Sequence, residues 1–73
     1  MKNSNFTQEM VMANNFVIEN NSNPVLTRFL AEMHDMTWLT HSDRWSRCYD
    51  FLAANFPECT GTLVTGLTYW LEQ

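Results

Sequence analysis

The sequence is short of positive charge. Its basic residues are Lys2, Arg28, Arg44 and Arg47, four against eight acidic ones, for a net charge of −4. Four scattered cations cannot neutralise a run of phosphates, so direct binding to nucleic acid is disfavoured. Long apolar runs are missing too. Nothing approaches the ~20 residues that cross a bilayer, and the stretch from Phe6 to Ile18 is broken by Thr, Gln, Glu and two Asn, unlike a secretory leader. A cytoplasmic protein is expected. There are two cysteines, Cys48 and Cys59, which in that compartment stay reduced and serve as core residues rather than a disulfide.

Metal and catalytic patterns are equally scarce. His34, His41, Cys48 and Cys59 offer zinc-type donors, but no Cys-x-x-Cys occurs and the histidines straddle a break between helices, so no metal or other cofactor is expected. His41-Ser42-Asp43 places a base beside a hydroxyl only in sequence, whereas catalytic groups are defined by convergence in space. Ser42 is better explained as a helix cap. A chain of 73 residues also has little material to wall off a substrate pocket, and no enzymatic activity is expected.

What the chain does have is core material: three Trp, two Tyr, five Phe and five Met, with 45% of residues hydrophobic. That argues for a folded domain and against disorder. Asn23-Pro24 reads as a helix start, with Asn as N-cap and Pro at the first helical position. Leu26, Phe29, Leu30 and Met33 then follow at helical spacing, and this helix should fade between His34 and Trp38. A second helix is expected from a Ser42 cap to Pro57, with Trp45, Cys48, Tyr49, Leu52 and Phe56 as its buried stripe. The segment after Thr60 is mixed: Thr, Val, Tyr and Trp favour a strand, while Leu63, Leu67, Trp70 and Leu71 keep helical spacing. A lone strand would have no partner, so a helix is expected there. The fold class is therefore mainly α, a small three-helix bundle over residues 24–73. Trp45 and Trp70 are expected in its core, with Trp38 free to be buried or exposed.

Residues 1–23 hold seven of the eight asparagines and no convincing periodicity. Asn favours turns and local side-chain-to-backbone bonds over regular structure. This part is expected to be a loosely structured arm, anchored by Phe6, Met10 and Phe16. It either orders on a partner or packs on its own bundle. The acids Glu9, Glu19, Glu32, Asp35, Asp43, Asp50, Glu58 and Glu72 are spread along the chain. A mimic of DNA would need them in a dense row.

A short acidic chain opening MKNSNFTQE resembles a small RNA-polymerase-binding transcription regulator of a lytic Xanthomonas phage. The resemblance implies binding, in the host cytoplasm, to the N-terminal region of the polymerase β′ subunit near the β flap and the RNA exit channel. It further implies displacement of σ factor, inhibition of initiation, and antitermination helped by NusA. The positions it assigns to partner contact are Asn3, Asn5, Phe6 and Glu9, with Glu9 pairing with a basic side chain on β′. The rival reading, from composition, is an acidic inhibitor of a host DNA-binding or defence protein.

Overall fold

The computed structural model describes residues 7–73, and these form four α-helices: α1 (Thr7–Glu19), α2 (Pro24–Asp35), α3 (His41–Asn55) and α4 (Thr60–Leu71). The mainly α class agrees with the sequence, but the helix count is four rather than three. The extra helix lies in the segment expected to be a loose arm. Among the described residues no helix is long and apolar enough to cross a membrane.

The boundaries follow local chemistry. The Asn23 side chain accepts from the backbone N–H groups of Val25 at 2.9 Å and Leu26 at 3.2 Å, and Pro24 occupies the first helical position, where its missing N–H costs nothing. The helix α2 stops at Asp35, and Trp38 in the following turn is 73% exposed. The start of α3 differs from expectation. Thr40, in extended backbone conformation, is the cap and accepts from Asp43 N–H at 3.0 Å, so Ser42 falls inside the first turn. Pro57 cannot continue α3 and opens a single 3-10 turn, Pro57–Cys59, that leads directly into α4.

The helix α4 is the centre of the molecule. It packs against α1, α2 and α3, and Leu63, Val64, Gly66, Leu67 and Thr68 are all buried. A helix buried on more than one side needs few polar residues, which explains why its sequence reads ambiguously. Its β-branched residues lie in a helix because neighbours on several sides offset their propensity cost of a few tenths of a kcal/mol each. The rest of the core comes from Ala13 and Phe16 of α1, Leu26 and Met33 of α2, and Cys48 and Leu52 of α3. Phe16 meets Phe56 edge-to-face at 5.0 Å, and Phe29 stacks on Phe51 at 4.1 Å.

The expected stripe of α3 is only partly buried. Cys48 and Leu52 face the core, whereas Trp45 and Tyr49 are 38% and 45% exposed and stack on each other at 5.5 Å. The helix packs through one narrow seam, and these aromatics flank it. Trp70 is half-buried, and its indole N–H donates to Asn14 Oδ1 at 3.2 Å, tying α4 to α1. At the far end of the bundle, Glu72 accepts from the Arg44 guanidinium at 2.9 Å and sits 2.7 Å from His41 Nδ1.

Cys48 and Cys59 are free thiols. Burial pushes the Cys48 thiol up from 9.0 to about 11, against the smaller opposing effects of the Thr68 hydrogen bond and the Arg44 charge. Folding therefore favours the protonated form. The unfolded thiol loses its proton from about 9 upward while the folded one holds it to about 11, so this stabilisation is complete below pH 9 and is lost as pH rises toward 11. The expected loss is about 2–3 kcal/mol. Urea melts on either side of that window should show it in the wild type, whereas Cys48→Ala, less stable throughout, should vary less with pH. Parallel profiles for the two proteins would reject a titrating Cys48.

Candidate functional site

The positions assigned to partner contact lie at the N-terminal end of the chain. Asn3, Asn5 and Phe6 fall outside the described residues. Glu9 is in the first turn of α1, where a carboxylate is favoured by the helix dipole.

Two opposed stripes run along α1. The inner one, Glu9, Ala13, Phe16 and Asn20, is spaced at i, i+4, i+7 and i+11 and turns toward the bundle, with Ala13 at 0% and Phe16 at 8% exposure. Its tightest point is the crossing with α4. A Cβ placed on Gly66 would overlap the Glu9 carbonyl oxygen and lie 2.8 Å from the carbonyl carbon. Glycine lets the two backbones meet there, and the meeting fixes where the first turn of α1 sits on α4. The Asn20 side chain closes the other end of the helix by donating to Phe16 C=O at 2.8 Å.

Glu9 itself is half-buried. Its Oε1 is enclosed and has no hydrogen-bond partner among the described residues. Buried carboxylate oxygens nearly always accept a bond, and leaving one without a donor costs about 1–3 kcal/mol. The Glu9 carboxyl thus retains unused acceptor capacity in the first turn of α1.

The outer stripe is the part that sequence reasoning missed. Val11, Asn15 and Ile18 share the i, i+4, i+7 spacing and are exposed, Val11 by 52% and Ile18 by 58%, with Met12 exposed beside them. No charged residue lies between Glu9 and Glu19. An amphipathic surface helix normally places charged or polar groups opposite its buried face. Here the opposite face carries two β-branched apolar residues around an asparagine. On its exposed side Val11, Met12 and Ile18 are interleaved with Gln8, Asn14, Asn15 and Glu19, and that mixture blurred the periodicity that would have marked it as a helix.

The residues weighed as zinc donors are not assembled: no three or more His, Cys, Asp or Glu come together among the described residues. Cys48 is enclosed in the core, while His34 and His41 are exposed. Comparison with known proteins finds no matching family model, no matching curated protein and no matching solved structure.

Proposed function

We propose that this chain is a phage-encoded transcription regulator that binds bacterial RNA polymerase through its N-terminal arm and the exposed face of α1. The reading rests on the resemblance of the opening segment and on one observation: α1 has an apolar face left over after it has packed on α4. In this reading Phe6 fills a pocket on the N-terminal region of β′, near the β flap and the RNA exit channel. Asn3 and Asn5 bond to exposed backbone of the partner, and Glu9 takes a basic side chain. Val11, Asn15 and Ile18 extend the contact along the helix. Occupancy of that region loosens σ factor and shuts off initiation. The same bound protein lets the elongating enzyme, with NusA, pass terminators.

The test is direct binding to purified polymerase core and holoenzyme, with released σ as a second readout. Phe6→Ala is expected to weaken binding roughly 10- to 30-fold, the range of an interface anchor. The double variant Val11→Ser/Ile18→Ser should weaken it at least as much, with far-UV dichroism unchanged because both side chains are exposed. Wild-type affinity in both variants would sink this role for the arm and α1. Polymerase that fails to bind, together with capture of a host DNA-binding protein in competition with DNA and with strong salt dependence, would favour the acidic inhibitor instead.

A further inference from the structure

The last turns of α2 and α4 border a groove of about 470 Å³. Leu30, Ala31, Trp70 and Leu71 give it an apolar lining, joined by the polar His34, Asp35 and Gln73. The charge pattern here has one sign. Asp35 has no ion pair or hydrogen bond among the described residues. Neither helix carries a lysine or arginine in its last turn, which in α2 holds His34. The C-terminal ends of α2 and α4 both border the groove, and among the described residues no lysine or arginine lines it. Arg44 is engaged by Glu72 and by the Leu39 carbonyl.

A second groove, of about 410 Å³, on the other side of α2 makes the contrast. It has comparable size and an apolar floor, but both Arg28 and Glu32 line it, so it has no preference for charge of either sign. Of these two grooves, the first combines an apolar lining with a carboxylate that has no cation beside it among the described residues.

We infer that the groove between the ends of α2 and α4 is a docking site for an arginine side chain carried on a short apolar segment of a partner protein. Arginine fits better than lysine. Its planar guanidinium can bond to a carboxylate with two N–H groups and lie against an indole, and it is less strongly hydrated than an ammonium. In the groove, Asp35 supplies the carboxylate and Trp70 the indole, with the His34 ring beside them. Leu30 and Leu71 receive the flanking apolar side chains. This inference stands independently of the polymerase reading, because no residue of α1 lines the groove.

The test titrates the full-length, ¹⁵N-labelled chain with acetyl-Leu-Arg-Leu-amide and, in parallel, with the same peptide carrying citrulline, the uncharged isostere of arginine. With the arginine peptide, the Trp70 indole and the Ala31 and Asp35 amide signals are expected to shift and saturate. The citrulline peptide should bind at least fivefold more weakly. Asp35→Asn, at an exposed site, should reduce the arginine affinity about three- to fivefold, as for a rim ion pair. Ala31→Arg, which fills the groove with a cation of the chain's own, should abolish the response while leaving the dispersion of the spectrum intact. Equal shifts from both peptides, or shifts centred on the Arg28 groove, would overturn the proposal.

Discussion

Replacing Gly66 by alanine is expected to lower the melting temperature by about 10 °C, although alanine is the better helix former. In an open helical site the exchange would stabilise by about 1 kcal/mol. At Gly66 the added methyl group would run into the Glu9 carbonyl, which is backbone and cannot swing aside. The helices α1 and α4 must separate, loosening Ala13 and Phe16 in their seats. Overpacking of this kind costs about 1–3 kcal/mol or more, and in a domain of this size each kcal/mol is worth about 4–8 °C. The clash outweighs the propensity gain, for a net loss of about 2 kcal/mol. Gly66→Leu should detach α1 altogether and, if the polymerase reading is right, remove binding along with it. Gly61 is the control within the same helix. A Cβ there meets nothing within 4 Å, so Gly61→Ala should be neutral or raise the melting temperature by a few degrees. Thermal melts of the pair decide the matter, and Gly66→Ala melting at or above the wild type would refute the crossing.

Truncating Leu67 to alanine should have a still larger effect. Leu67 is completely buried in the middle of α4 and belongs to the core that α1, α2 and α3 share. Leucine-to-alanine changes at such sites cost about 3–5 kcal/mol, the residual cavity adding to the lost transfer energy. At about 0.05–0.15 kcal/mol per residue, a chain of 73 residues has a total stability of about 4–11 kcal/mol. The variant should therefore lie close to its unfolding midpoint at room temperature. Near-UV dichroism from the tryptophans should collapse, with far-UV helicity falling less. A urea midpoint within a few tenths molar of the wild type would show that Leu67 is not at the shared centre.

How much of this was legible in the sequence differs from helix to helix. The second helix was plain because its signals are local: the Asn23-Pro24 start lies next to the residues it caps, and the stripe through Leu26 and Met33 is regular. The third was found with its start misplaced by two residues, since Thr40 and Ser42 are both capable caps and only backbone conformation decides between them. Its stripe was drawn too wide. Trp45 and Tyr49 keep the right spacing, but spacing reports a shared face and not how much of that face a neighbour covers. The fourth could be argued only by elimination, because a helix enclosed on several sides loses its polar stripe.

The first helix went unrecognised for a related reason. Ala13 and Phe16 look inward while Val11 and Ile18 look outward, so no single apolar face stands out, and the asparagines around it suggest turns. At Asn20, Asn21 and Asn23 that suggestion was right: their backbone N–H groups close successive turns onto Phe16, Ile18 and Asn20. The meeting of Glu9 with Gly66 had no local signature at all. It depends on two backbones brought together from opposite ends of the chain.

That meeting also bears on the order in which the molecule assembles. The helix α1 rests on α4, and the bond between Asn14 and Trp70 spans 56 positions. Helical domains usually fold fast because their contacts are local, whereas closing a large loop must precede any reward from a distant pair. During synthesis α1 emerges before α4, and its seat forms only after α4 has been made. Until then Ala13 and Phe16 have nothing to cover them. A chain released before Leu67 and Trp70 are added would carry α1 intact in sequence but without the surface that holds the helix in place.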